Sequence, residues 1–330
     1  MHTNVTSSTS YRTKIHSALS SCLDQTNLTI GQKVQGKVRD SYDLGDQILL
    51  ITTDRLTAFD RPLALIPYKG AVLNLTSAWW FEQTANLIPN HIIAVPDPNV
   101  VIAKKCKVFP IEFVVRGYIS GSTSTSLWTQ YNKGVRNYCG ITFPDGLKKN
   151  QKLIEPVLTP TTKEVEHDRP ITPSEIISEG WMTDEDWIKA SELALKLYQR
   201  GVELASHHGL ILVDTKYEFG RDKSGNIIVV DEIHTPDSSR YWLAESYEER
   251  LAEGQEPENI DKEFLRLWFA KNCDPYKDKI MPKAPVELIE ELSLRYIQLY
   301  ERITGKHFVF ADQEEPTEQR IMKAVANYLS

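Results

Sequence analysis

The segment Leu210-Ile211-Leu212-Val213-Asp214-Thr215-Lys216-Tyr217-Glu218-Phe219 decides how this chain is read. It alternates with period two, so as a β-strand it turns Asp214, Lys216 and Glu218 to one face and Val213, Tyr217 and Phe219 to the other. Such a pattern also describes the solvated face of an edge strand, and the partner strand separates the two readings. Residues 221–226 are turn formers and residues 227–233 read as a second strand, so the segment continues as a hairpin. With a two- or four-residue loop at Lys223-Ser224, Lys216 lies opposite Asp231, and Glu218 is the diagonal neighbour of Asp231 on the same face. A lysine is then flanked by two carboxylates. Carboxylates on facing strands suit Mg²⁺, which completes its octahedron with water and substrate phosphates, and the lysine suits an anion beside it. The geometry hangs on register, because a one-residue change in the loop flips every side chain.

Beyond the hairpin, Asp231-Glu232-Ile233-His234-Thr235-Pro236-Asp237-Ser238-Ser239-Arg240 reads either as a loop holding a sugar phosphate or as a turn leading into a capped helix. Ahead of it, Thr183 caps a helix whose stripe is Trp187, Ala190, Ala194, Leu197, Gly201 and Leu204, closed by Gly209. Helices are expected near residues 262–271, 286–304 and 317–329. Residues 33–53 form a hairpin with a Gly45-Asp46 turn, then come a helix over 74–87 and short strands over 92–95 and 100–105. Gly36-Lys37-Val38-Arg39-Asp40 offers a flexible backbone and two cations where a nucleotide phosphate could lie, although a lone Gly-Lys pair is usually just a turn. Residues 110–115 begin another strand, the Gly/Ser/Thr stretch 117–126 is a working loop, and residues 151–174, with four prolines, are a long surface excursion. His207-His208 suit a helix C-terminus and Trp79-Trp80-Phe81 a core.

Composition narrows the classes. The chain has 330 residues, 41% hydrophobic and 25% charged, which allows a large core and excludes a disordered or collagen-like chain. Lys and Arg number 38 against 45 Asp and Glu, a net charge of -7, so the global field repels phosphate polymers and any anion site must be a local cluster of cations. No Walker A loop or Gly-x-Gly-x-x-Gly fingerprint is present. Four cysteines without metal-ligand spacing read as reduced thiols of a cytoplasmic protein, and no apolar run reaches membrane-spanning length. The expected partners are small molecules, with no nucleic acid and no membrane, for a monomer or small homo-oligomer.

With these motifs in order, the chain resembles the SAICAR synthetase family from residue 36 to about residue 305. The most specific piece is Leu212-Val213-Asp214-Thr215-Lys216-Tyr217-Glu218-Phe219-Gly220, and Pro110-Ile111-Glu112-Phe113-Val114-Val115-Arg116 with Gly121-Ser122 fits a second signature. Supporting pieces are Gly36 to Asp40, Asp54 to Asp60, Thr159 to Lys163, His167-Asp168 and Asp231 to Arg240. Phe109, Ser120 and Thr123-Ser124-Thr125-Ser126 depart from the family pattern, which touches loop shape more than activity.

The resemblance implies an α+β fold of the SAICAR synthase kind. It has a small antiparallel-sheet lobe over residues 1–110, a larger α/β lobe over 111–330, and an ATP cleft between them. The implied reaction is ATP-dependent ligation of carboxyaminoimidazole ribonucleotide (CAIR) to L-aspartate through an acyl phosphate, in purine biosynthesis. By the same resemblance Gly36, Lys37, Val38 and Arg39 cover the ATP phosphates, Lys104 to Val108 border the adenine, and Glu218 with Asp231 hold Mg²⁺. Lys163 meets the transferring phosphate; Arg116, Ser122, Ser239 and Arg240 bind the CAIR phosphate; Lys216 meets the CAIR carboxylate region. Asp214, Asp237 and His167-Asp168 line the pocket, Lys216, Lys163 and Asp214 being the catalytic set. Two other readings compete: a phosphotransferase with a kinase-like cleft, and a non-catalytic nucleotide- or RNA-binding module, which lacks its basic stripe.

Overall fold

The computed structural model describes residues 5–164, 168–312 and 314–330. Among them the helices are α1 (Val5–Ala18), α2 (Lys69–Thr84), α3 (Leu127–Asn132), α4 (Pro173–Ser178), α5 (Asp184–His207), α6 (Ala244–Ala252), α7 (Glu263–Asn272), α8 (Val286–Thr304) and α9 (Thr317–Leu329). The strands up to residue 118 are β1 (Gln32–Gln35), β2 (Arg39–Asp43), β3 (Gln47–Thr52), β4 (Arg55–Ala58), β5 (Arg61–Leu65), β6 (Ile92–Asp97), β7 (Val100–Lys104), β8 (Lys107–Val108) and β9 (Ile111–Tyr118). They continue with β10 (Asn137–Tyr138), β11 (Ile141–Thr142), β12 (Lys152–Leu158), β13 (Thr161–Thr162), β14 (Leu210–Arg221), β15 (Ile227–Val230) and β16 (Ser239–Leu243). The mixture is α+β with antiparallel sheets, as the sequence indicates.

The chain divides into two units, Met1–Trp79 with Ile92–Lys105 and Asp261–Ser330, and Trp80–His91 with Cys106–Ile260. A boundary at residue 110 therefore misses where the C-terminal segment packs. The α8 stripe of Leu292, Tyr296 and Ile297 is buried with Leu56, Val72 and Leu73 of the first unit, and Ile321 and Val325 of α9 are buried with Tyr42, Leu49 and Ile102. Period 3.6 marks these helices as amphipathic but carries no address for the surface they cover. In the first unit β1-β2-β3-β7-β6 form one antiparallel sheet, and α2 starts before its expected first turn because the Asp54 carboxylate accepts the Gly70 N–H at 2.9 Å.

The second unit is built on the antiparallel order β12-β9-β14-β15, with β13 on β9 and β16 and β8 on β14. Its back face is apolar: Phe113 meets Phe219 edge-on at 5.0 Å and stacks on Trp187 of α5 at 5.3 Å. Thr183 caps α5 by accepting from the Asp186 N–H, as its position predicts. Two expectations change here. Residues 151–174 are not a bare excursion, since β12 and β13 both pair with β9. Pro156 fits because β12 is an edge strand whose register breaks between Lys152 and Val157. Residues 239–243 are neither loop nor helix but strand β16 against β14.

The β14–β15 register also differs. Glu218 pairs with Val230 and Arg221 with Ile227, leaving the five residues 222–226 in the turn rather than two or four. Asp222 sets that length, because its carboxylate accepts the N–H groups of both Ser224 and Asn226 at 2.9 Å.

Candidate active site

Three strands bring rows of charge to the front face of the second unit's sheet. Asp214 pairs with Arg116 on β9 and with Arg240 on β16, so two guanidinium groups flank one carboxylate across neighbouring strands. Arg240 Nη1 donates to Asp214 Oδ2, Arg116 Nη1 lies 3.5 Å from the same oxygen, and Arg116 Nε donates to Thr159 Oγ1 at 2.8 Å. All three side chains are buried, so each holds its position against solvent competition. Gly121, at φ 105°, runs so close that a Cβ there would lie 3.0 Å from Arg240 Nη2, which puts the Gly121 backbone beside that arginine, with Ser122 the next residue in the chain.

Two residues further along β14 comes Lys216. Its Nζ donates to Glu218 Oε1 at 2.6 Å and Glu112 Oε1 at 3.0 Å, and lies 3.5 Å from Asp231 Oδ2. Lys163 reaches the other oxygen of Glu218. Desolvation favours the neutral amine of Lys216, but Glu218, Glu112 and Asp231 outweigh it and raise its pKa well above the usual lysine value. Lys216 is therefore a fixed cation at any working pH. Lys163, 36% exposed, is the looser of the two.

Asp231 reaches this cluster by a route the alternation does not describe. In the observed register, continuing β15 would turn Asp231 to the face opposite Glu218. Instead the strand ends at Val230 and Asp231 adopts φ 67°, a left-handed conformation that returns its carboxylate to the front. The sequence expectation of the contact holds, by a different geometry. Glu112, quoted only as part of a signature, is the residue missed. The legible signal is its place in β9, on the same face as Arg116 and four residues before it.

The other expected residues divide. Asp237 is buried in the turn before β16. Ser239 turns away from the arginines, its hydroxyl donating to Thr215 Oγ1 at 2.8 Å on the far side of β14. Asp168 is exposed and accepts the Glu164 N–H at 3.2 Å, and His167 lies outside the described residues. Val108 sits on β8, paired with Gly220.

In the first unit Gly36, Lys37 and Val38 form the β1–β2 turn, closed by Gly36 N–H to Arg39 O at 2.7 Å. Buried Arg55 donates to the carbonyls of Gly36 and Lys37, and Lys37 Nζ contacts Asp60 at 2.6 Å. Lys104 is exposed at the end of β7, opposite Gln47.

The SAICAR synthetase family model matches residues 32–283, which include every strand of both charged rows. The chain belongs to the SAICAR synthetase family. Phosphoribosylaminoimidazole-succinocarboxamide synthase of Legionella pneumophila (strain Paris) is 69% identical over 308 residues, covering 93% of this chain and 99% of that protein. The SAICAR-synthase from Saccharomyces cerevisiae, solved in complex with SAICAR, superposes with a TM-score of 0.74 at 32% identity, covering 87% of this chain and all of that one. A SAICAR synthetase solved in complex with ADP superposes at TM-score 0.65 and 27% identity, over 84% of this chain and all of that one. Membership of the SAICAR synthetase family makes this chain a phosphoribosylaminoimidazole-succinocarboxamide synthase by activity, a ligase of purine biosynthesis.

Proposed function

We propose that the second unit's front face lays out CAIR along β14, phosphate at the Arg116–Asp214–Arg240 row and carboxylate at Lys216. The observation that carries this reading is the spacing. Two residues of strand separate the rows by about 7 Å, which sets an anion gripped by guanidinium groups apart from an anion beside an ammonium, as the phosphate and the imidazole carboxylate of CAIR are set apart by its ribose and imidazole rings. Ser122, next in the chain to Gly121, is proposed as a neutral donor to the same phosphate. Asp237 and Asp168, with His167, are proposed as pocket lining.

The chemical problem is that a carboxylate resists nucleophilic attack. Transfer of the ATP γ-phosphoryl group to the CAIR carboxylate gives an acyl phosphate, from which the L-aspartate amine displaces phosphate as the amide forms. Lys216, held cationic by its neighbours, compensates the charge that builds on the carboxylate oxygen during transfer. Glu218 and Asp231 supply hard oxygen donors of the kind Mg²⁺ takes, an ion that completes its shell with water and phosphate oxygens. When bound, the ion would neutralise phosphate charge. Lys163, part-exposed beside Glu218, is assigned to the transferring phosphate. Gly36, Lys37, Val38 and Arg39 are assigned to the ATP phosphates, and Lys104 and Val108 to the adenine. We propose a cytoplasmic location and a monomer or small homo-oligomer on the same footing.

The test is ADP release with CAIR and L-aspartate each omitted in turn. Full release is expected only with both present, and rapid ADP formation without L-aspartate would instead favour phosphoryl transfer to a stable acceptor.

A further inference from the structure

We infer that His234, which faces no ligand in the proposed site, is a positioning residue that holds Asp231 in place through a buried hydrogen bond with Tyr217; this rests on the assignment of Asp231 to Mg²⁺. The β14–β15 ladder ends at Glu218–Val230, one residue before Asp231, so no further ladder pair fixes that residue. The chain then turns, with left-handed backbone at both Asp231 (φ 67°) and His234 (φ 55°). Non-glycine residues in this region cost free energy and persist only where their surroundings over-determine them.

The surroundings do so around the His234 ring. His234 is fully buried, and its Nε2 is hydrogen-bonded to Tyr217 Oη. Tyr217 is the back-face residue between Lys216 and Glu218, so this bond ties the strand that carries both to the turn that carries Asp231. The His234 carbonyl accepts from Tyr241 Oη at 2.8 Å, and the ring stands edge-to-face with Trp80 at 4.5 Å. Space for it comes from Gly201 of α5, where a Cβ would lie 2.6 Å from His234 Cε1 and 2.7 Å from Leu212 Cδ2. The turn's far end is tied separately, by Lys216 N–H to Ser238 O at 3.1 Å. Loss of the ring contact therefore loosens the Asp231 end of the turn while the 238 end stays fixed.

The experiment measures MgADP affinity by calorimetry, kcat and each KM, and the thermal midpoint for wild type, Tyr217→Phe, His234→Phe and the double variant. Each single variant should weaken MgADP roughly ten-fold, the scale on which supporting contacts behind a metal ligand act, and the double variant should be no weaker than the singles. His234→Gln, whose amide reaches the Tyr217 hydroxyl, should recover most of the affinity. A lower thermal midpoint with unchanged MgADP affinity, or additive losses in the double variant, overturns the inference. Glu218→Gln keeps the two levels distinct. If it leaves MgADP binding intact, the metal assignment itself fails, whereas a weakened Glu218→Gln beside an intact His234→Phe sinks only the positioning role.

Discussion

Replacing Lys216 with methionine removes the charge around which Glu112, Glu218 and Asp231 are gathered, at 3.0, 2.6 and 3.5 Å. Stripping the partner from a buried ion pair costs about 3–5 kcal/mol. The Lys216 side chain is 28% exposed and Lys163 remains on Glu218, so solvent screening and the second lysine reduce the loss to about 2–3 kcal/mol. At about 2.1 cal/mol/K of unfolding entropy per residue, a chain of 330 residues loses roughly 1.4 °C per kcal/mol, so the thermal midpoint should fall by about 3–4 °C, leaving the enzyme folded at 25 °C. Turnover should fall much further. A cation acting where charge develops in the transition state is worth about 10²–10³ in kcat.

Both quantities should be read on one preparation, thermal unfolding beside ADP release at saturating CAIR, with Mg²⁺ titrated in the absence of nucleotide. Three carboxylates without their lysine should attract the free ion, so Mg²⁺ alone should raise the midpoint of the variant more than that of wild type. Activity within a few-fold of wild type, or lost only in proportion to the unfolded fraction, would show Lys216 to be a structural counter-ion and refute its place in the chemistry.

Glu218→Gln and Asp231→Asn should each abolish turnover, since a neutral amide is a poor Mg²⁺ ligand; near wild-type rates in both would sink the metal assignment. Arg240→Ala should raise the KM for CAIR roughly ten-fold or more, on a charge-assisted contact worth about 1.5–3 kcal/mol, while the KM for ATP stays put. Asp214→Asn should also weaken CAIR although it removes a negative charge beside an anion site, because Arg116 and Arg240 lose the group that holds them together; tighter CAIR binding would show that repulsion, not positioning, is the main effect of Asp214. Burial pushes the His234 imidazole down to about 3 from an ordinary 6.5, so as pH falls from 6.5 towards 3 the unfolded chain takes up a proton that the folded chain refuses, and stability drops. His234→Phe should flatten that fall in denaturant midpoints between pH 6.5 and 4. Asp54, which burial raises to about 6, acts oppositely in the overlapping interval and is common to both proteins.

How far the sequence can be read depends on what kind of information each feature needs. Period two in β14 is local, so the face shared by Asp214, Lys216 and Glu218 is legible residue by residue. Register is not local: it turns on Asp222 taking the N–H groups of Ser224 and Asn226, which lengthens the turn to five residues. The contact between Lys216 and Asp231 survives that difference only through the left-handed backbone at Asp231, and pattern carries no sign of φ at an aspartate. Glu112 is in view within its motif, yet its role appears only once β9 lies beside β14. Ser239 pairs with Arg240 in a sequence reading because the two are adjacent. As members of a strand rather than a loop they point to opposite faces. The C-terminal helices are legible at nearly their true limits but attach to the other unit, for amphipathicity fixes that a face is buried and not beneath what.

An acidic chain that works on anionic substrates has to separate two length scales. At a net charge of -7 the protein's distant field disfavours every anionic substrate, but in physiological salt that field is screened beyond about 8 Å. Inside that distance the nearest groups decide, and here they sit on strands rather than on flexible loops. Arg116, Asp214 and Arg240 come from β9, β14 and β16, and Glu112, Lys216 and Glu218 from β9 and β14. Backbone ladders fix the strands, so little side-chain entropy is left to lose when a ligand arrives. Each cation is also held by a carboxylate before the ligand comes: Arg116 and Arg240 by Asp214, Lys216 by Glu112, Glu218 and Asp231. Those carboxylates weaken the pull of the site on any passing anion and fix where each cation points. Binding strength is thereby exchanged for placement, which suits the proposed layout of one ligand's two anionic groups along β14.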